Sequence, residues 1–368
     1  MRLTVLLGSG ASQRAGMPTT DDITARVRSG EGVMRHTDGV YRLSTKLLPD
    51  ERNEHVVRLT EALFSEIDAY YIDRRSHPSN YENCCYVAAQ LRDTESGEFD
   101  NPAVVPMIVN LAQNEGLRHL MGTKEDRQRL FSETENYIRD VVWGMLSAKS
   151  ADLKYLNWLT NIAHDKDVVS LEYLTLNHDT VLEQALRSNS VTFCDGFCDP
   201  VDGIRFWQPN RLQGPHRVRL SKLHGSVDWF HFRSNRNIGI TLEPDSGQTD
   251  PRPELLVGTF NKIIEYTTGI FADLHCHFHQ CLRQTHLMVC CGYRFGDKGI
   301  NTKLSEWINS ESGNRLIVVH PNSDTLFNCS RGAIANHWDE WRQQKKLMIV
   351  GKWIEETSWE EVKEAFLV

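Results

Sequence analysis

The sequence is short of three things, and each shortage closes off a class of protein. Positive charge is the first: 41 Lys and Arg stand against 49 Asp and Glu, a formal net charge of -8. That balance argues against direct nucleic-acid binding, which calls for a basic face. Long apolar runs are the second. No stretch approaches the roughly 20 residues of a membrane-spanning helix. The apolar start, Leu3 to Leu7, runs straight into glycine and is too short for a secretory signal. Paired cysteines are the third. The 9 cysteines include no CxxC pair; Cys194 and Cys198 form only a loose CxxxC. Neither a disulfide framework nor a zinc ribbon is expected, and reduced thiols fit a cytoplasmic setting.

What is present is globular. With 368 residues, 40% hydrophobic and 24% charged, the chain can bury one large core or two ordinary ones. Its first twenty residues carry the strongest local pattern. Leu3 to Leu7 read as a buried parallel strand. Gly8, Ser9, Gly10, Ala11 and Ser12 follow at once, with Gly16 and Pro18 beyond. Small residues directly after a strand allow a tight turn, close backbone approach and N–H groups suited to phosphate. The spacing is not GxGxxG, since position 13 is Gln and the third glycine is Gly16. A βα turn that binds nothing fits the same residues equally well.

Asp21 and Asp22 mark a helix start after Thr19. From about residue 40 to 164 the apolar spacing is mostly helical, as in HVVRLTEALFSEIDAYYI and RQRLFSETENYIRDVVWGMLSA. A strand is expected over Tyr173 to Leu176 and a helix over Thr180 to Leu186, with Thr180 and Glu183 at capping-box spacing. Asn177, His178 and Asp179 then occupy a strand-to-helix turn, where they either face a ligand or merely cap the helix. The stretch VRLSKLHGSVDWF ends a strand at His224–Gly225; histidine suits proton transfer near neutral pH. Residues 233–253 read as a polar surface excursion, and ELLVGTFNK as a strand and turn.

Ile270, Phe271, Leu274, Phe278 and Leu282 form one face of a long amphipathic helix. That helix contains HCHFHQC, with His275 and His279 one helical turn apart and Cys276 and Cys281 nearby. The apolar period continues through it, so it reads as a core helix and no metal is expected. Two further strand–turn–helix units follow. One is Leu287 to Cys291, with Gly292 and a capping Asp297 before Ile300 and Asn301. The other is Leu316 to Val319, followed by His320, Pro321 and Asn322.

GSGASQRAGMP, LTLNHDTVLE, KLHGSVDW, VCCGYRFGDKGIN and VVHPN occur in one order. That order resembles the sirtuin superfamily, and within it the sirtuin-like NADases of bacterial anti-phage defence rather than the deacetylases. The resemblance implies an α/β fold: a Rossmann-like open parallel sheet with a large helical insertion. Residues 1–39 and 165–368 would form the NAD-binding catalytic domain and 40–164 the insertion. It implies NAD as substrate, cleaved to nicotinamide and ADP-ribose, with Asn177 and His224 as catalytic residues. Gly8, Ser9, Gly10, Ala11 and Ser12 would cradle the pyrophosphate, Pro18 and Thr19 would also contact the cofactor, and Asp179 would lie near the nicotinamide ribose. Gly292, Tyr293, Phe295, Asp297, Asn301 and Asn322 would lie toward adenosine. It also implies an assembly gated by homo-oligomerisation or by a HerA-type ATPase.

Two departures bear on the competing functions. The zinc-ribbon CxxC pairs of sirtuin deacetylases are missing, and their GIPDFR-like stretch reads GMPTTDD here. Both argue against acyl-peptide binding. An NAD-dependent deacylase and a non-catalytic NAD- or ADP-ribose-binding module are the alternatives; cyclisation and base exchange would use the same residues as hydrolysis.

Overall fold

A computed structural model describes residues 1–44, 51–71, 78–98, 101–148, 150, 152–234, 237–241, 247–259 and 261–366. The chain divides into two compact units. One comprises Met1–Met17, Lys149–Leu255 and Ile263–Val368; the other comprises Pro18–Ala148 and Leu256–Lys262. The division expected from sequence, at residues 39 and 164, differs from these limits. The helix Thr20–Ser29 and a short hairpin are part of the helical unit, and residues 149–164 go with the sheet.

The strands in chain order are β1 (Arg2–Leu7), β2 (Val33–Arg35), β3 (Tyr41–Leu43), β4 (Ser170–Thr175), β5 (Arg205–Phe206), β6 (Val218–Lys222), β7 (Trp229–His231), β8 (Ile238–Ile240), β9 (Leu287–Cys291), β10 (Arg315–Val319) and β11 (Leu347–Val350). Six of them form one sheet in the order β11-β10-β9-β1-β4-β6, every pair parallel. The expected α/β fold with an open parallel sheet is therefore present. The chain walks outward from β1 to β4 and β6, then crosses back to β9 and walks out through β10 and β11. This is the doubly wound order, with its switch point between β1 and β9.

The sequence of β1 shows why it is central. Leu3, Val5, Leu6 and Leu7 are all buried, because helices cover both faces of a parallel sheet. Leu3, Val5, Leu171, Tyr173, Val218, Leu220 and Val289 point to one face. There they meet Trp158, Leu159, Ile162, Leu182, Leu186 and Val362. The alternate residues, including Glu172 and Arg219, point to the other face, where the helix Gly269–Gln284 brings His277 against Glu172.

Three sequence expectations need correction. Thr180 makes no side-chain cap; Asp179 Oδ1 accepts from Val181 N at 2.9 Å, while Glu183 turns toward Lys222. The expected strand at 254–262 is only an isolated bridge, Gly225 to Leu255. Residues 233–253, read as a polar surface excursion, contain β8, which pairs with β5 and β7 in a small antiparallel sheet.

In the helical unit, the β2–β3 hairpin is held by buried polar contacts. Arg35 reaches Glu133 through two hydrogen bonds of 3.0 Å, and Tyr41 N donates to Asp140 Oδ2 at 2.8 Å. Leu59, Leu63, Phe64, Phe131, Ile138 and Val141 are fully buried among its helices.

Candidate functional site

The turns after β1 and β9 meet at the switch point, and three glycines make the meeting possible. Gly8 N donates to Cys291 O at 3.0 Å and Gly10 N to Gly292 O at 2.9 Å. A Cβ on Gly8 would lie 2.7 Å from Gly292 O, and one on Gly292 would lie 2.1 Å from Ala11 N. Gly292 also has φ +65, a left-handed conformation that costs other residues energy. The small residues are thus used for contact between two turns of the protein itself. Ala11 N and Ser12 N are taken as well, by Gly8 O and Ser9 O. Gly8, Ser9, Gly10, Ala11 and Ser12 were expected to cradle the pyrophosphate; the N–H groups of Gly8, Gly10, Ala11 and Ser12 bond within the protein and frame the two turns.

This frame yields a stability prediction. Gly292→Ala should cost at least about 2 kcal/mol, from the backbone clash plus the left-handed strain. Gly16 shares a positive φ, +86, but a Cβ there would meet nothing within 4 Å. Gly16→Ala should therefore cost only about 1 kcal/mol. Urea unfolding of both variants separates close approach from conformational strain; equal losses would show that the Gly292 contact does not matter.

Asn177 joins this frame to β4. It lies two residues beyond β4, and its Nδ2 donates to Gly8 O at 3.0 Å and to Ser12 Oγ at 2.9 Å. Ser12 Oγ in turn donates to Asp179 Oδ1 at 3.1 Å. Asn177 Oδ1 is buried and has no hydrogen-bond partner among the described residues. A buried acceptor without a partner is costly, and a ligand hydroxyl would satisfy it.

His224 occupies the equivalent place beyond β6. Thr175 and Lys222 are register partners, and Asn177 and His224 each stand two residues further on. Gly225, with φ +84, makes the bend; a Cβ there would lie 2.0 Å from Glu254 O. The turn is clasped to the Asn177–Asp179 turn by Val227 N, which donates to His178 O at 3.0 Å. The rings of His178 and His224 lie 6.2 Å apart.

His224 is 4% exposed, and its Nε2 sits 3.0 Å from Tyr266 Oη and 3.4 Å from Asp297 Oδ2. Tyr266 Oη donates its one proton to Asp297 Oδ2 at 2.9 Å. The Nε2–H of His224 then donates toward the tyrosine oxygen, so neutral His224 is basic at Nδ1. Asp297 supplies the negative charge that an imidazolium at this position needs. His275 stacks on Tyr266, with ring centroids 3.6 Å apart. Burial, helped by the nearby His224, pulls the pKa of His275 down to about 3, so it stays neutral.

Lys222 underpins the turn. Its Nζ donates to Asp179 O and to Glu183 Oε1, the latter at 2.8 Å, and both side chains are buried. Burial pushes the Glu183 carboxyl up, and Lys222 opposes that push.

The other expected site residues are more scattered. Tyr293 Oη donates to Asn301 Oδ1 at 2.8 Å, and Asn301 Nδ2 donates to Phe295 O at 2.7 Å. Phe295 is fully buried, with φ +54. Tyr293, Phe295 and Asn301, expected toward adenosine, brace their own loop from inside. Asp297, from the same expected group, stands beside His224. Asn322 is exposed and caps the helix Ser323–Cys329 by accepting from Thr325 N at 2.8 Å. Pro18 and Thr19 belong to the helical unit, where Thr19 forms a capping box with Asp22. Sequence reading missed Tyr266 and Lys222. Tyr266 falls in no motif, and Lys222 opens KLHGSVDW without being singled out there; the register of β4 with β6 and the packing of Tyr266 bring them to the site.

Residues 171–345 match the family model of the SIR2-like domain, a span that contains Asn177, His224, Tyr266 and Asp297. No curated protein sequence matches the chain. Among solved structures, a Sir2 homologue in complex with ADP-ribose is 11% identical. It superposes with a TM-score of 0.37 over 99% of this chain and 91% of that one. A Sir2 homologue–NAD complex is also 11% identical, with a TM-score of 0.36 over 99% of this chain and 89% of the other.

Proposed function

We propose that this protein is an NAD+ glycohydrolase that cleaves the nicotinamide–ribose bond and releases nicotinamide and ADP-ribose. The observation that carries the reading is His224, buried against Asp297 and Tyr266 at the same sheet register as Asn177. The SIR2-like match over this stretch agrees with it. NAD would lie across the carboxyl edge of the sheet at the switch point, where open α/β folds bind ligands.

Nicotinamide leaves as a neutral base, so no acid is needed for its departure. The developing ribosyl cation resembles that of glycoside hydrolysis. Asn177 Oδ1 would accept a hydrogen bond from a ribose hydroxyl or the attacking water. His224 Nδ1 would take the proton released as water or a hydroxyl attacks, and Asp297 would stabilise the imidazolium formed. Ser12 and Asp179 would hold Asn177 and the turn in place. A defence role, gated by self-association or by a HerA-type ATPase, goes with this reading.

Incubating the purified chain with NAD, with and without an acylated peptide, tests it. Nicotinamide and ADP-ribose should appear in equal amounts without peptide. Peptide-dependent turnover would instead identify a deacylase, and binding without product a regulatory module. Asp297→Asn should lower kcat at least about tenfold with little change in KM, because the amide cannot balance an imidazolium charge. An unchanged kcat and pH profile would remove Asp297 from the mechanism.

A further inference from the structure

One group of side chains apart from the nucleotide edge has the makings of a metal site. On the sheet face opposite the main apolar cluster, Glu172 of β4 meets His277 and Cys281 of the helix Gly269–Gln284. Their ligand atoms all lie within 4.8 Å of one another, and among the described residues no other three such groups do. His277 Nε2 is 3.3 Å from Glu172 Oε2 and 3.2 Å from Cys281 Sγ. The three side chains are buried or nearly so.

A single imidazole nitrogen explains only part of this. Nε2 offers either one proton or one lone pair, so it can satisfy the carboxylate or the thiol but not both. The Cys281 thiol also bonds Glu172; once it gives up its proton, three lone-pair atoms converge from three side chains, the pattern that a cation resolves. Zinc bonds of about 2.3 Å to sulfur and about 2.0–2.2 Å to nitrogen and oxygen, at tetrahedral angles, separate ligand atoms by about 3.4–3.6 Å. The observed separations of 3.2 and 3.3 Å need only a small outward shift. His277 and Cys281 stand at i and i+4, one helical turn apart, so both side chains reach the same point.

The carboxylate is already oriented. Arg219, directly opposite Glu172 in the register of β4 with β6, donates from Nη1 to Glu172 Oε1 at 2.6 Å. That bond leaves Oε2 turned to the histidine and fixes the carboxylate as second-layer partners do in metal sites. Thiolate and carboxylate set two negative charges against the divalent ion, beside the positive Arg219, and the Cys281 thiol gives up its proton on binding.

The geometry points to a zinc-class divalent cation held by Glu172, His277 and Cys281, with water as fourth ligand. This is contrary to the expectation of no metal drawn from the sequence. The ion would clip the middle of the helix Gly269–Gln284 to β4. The HCHFHQC stretch thus contributes its second histidine and second cysteine, His277 and Cys281, rather than His275, Cys276 or His279.

The test is titration of the chelator-treated full chain with Co2+, which requires no enzymatic activity. One equivalent should bind, with thiolate-to-cobalt charge transfer in the near ultraviolet and tetrahedral bands in the visible, and Zn2+ should bleach both. Cys281→Ser should abolish the charge-transfer band, and Cys276→Ser should leave it unchanged. Glu172→Gln should weaken binding at least about tenfold. Circular dichroism checks that each variant is folded; should Cys281→Ser unfold, the wild-type and Glu172→Gln titrations still decide. A folded wild-type chain without the charge-transfer band overturns the proposal, as does a band that survives in folded Cys281→Ser.

Discussion

His224→Ala is expected to cut nicotinamide release about a hundred- to ten-thousand-fold, the usual loss on removing a general base, while the protein stays folded. The site's construction makes this substitution the cleaner probe. His224 stands two residues beyond β6, with its Nε2 beside Tyr266 Oη and Asp297 Oδ2. Asn177 is different, because its amide holds Gly8 O and Ser12 Oγ together. Asn177→Ala should therefore lose turnover and also about 1–3 kcal/mol of stability, from polar groups left unsatisfied in a buried turn. If the two residues act on the same water and ribose, the double variant should be little slower than His224→Ala. The readouts are nicotinamide by chromatography and thermal unfolding on the same samples. A folded His224→Ala protein with wild-type turnover would sink the mechanism.

Lys222→Met should be the most destabilising single change near the site, by about 3–5 kcal/mol at neutral pH. It strips the counter-ion from buried Glu183 and the donor from Asp179 O. Burial raises the pKa of Glu183 in the folded state. A group raised in this way favours the folded state fully below its unfolded pKa and loses that contribution as pH rises through the folded value. Without Lys222 only a backbone hydrogen bond opposes the shift. The variant should approach wild-type stability in acid and fall away as pH climbs above the ordinary glutamate range. Adding Glu183→Gln should flatten that slope and restore much of the loss. Urea unfolding between pH 4 and pH 8 measures it; a pH-independent deficit would mean that the lost bond to Asp179 O, not the stranded carboxylate, dominates.

The motifs legible in the sequence are those that depend on neighbours along the chain. Leu3–Leu7, Leu287–Cys291 and Leu316–Val319 read as buried strands because both faces of a parallel sheet demand apolar residues. The small residues after β1 and the glycine after β9 read correctly as tight turns. Asp297 was rightly placed as a helix cap, since a cap acts within its own first turn. The strand ends that place Asn177 and His224 were legible for the same reason.

What the turns touch was not legible. Gly8 and Gly10 suit close approach by anything, and only the β1–β9 pairing shows that Gly292 fills that space. Motif position named no partner for Asp297, and the packing of Tyr266 brings it to His224, 73 positions earlier in the chain. The same limit applies to HCHFHQC. Helical spacing pairs His275 with His279, while the sheet face beneath selects His277 and Cys281 because that is where Glu172 projects. Local pattern and backbone propensity thus determined the strands, the caps and the turns. Partners distant in sequence are chosen by strand register and helix packing, which no local pattern encodes, and so the tertiary structure alone decided which polar groups meet.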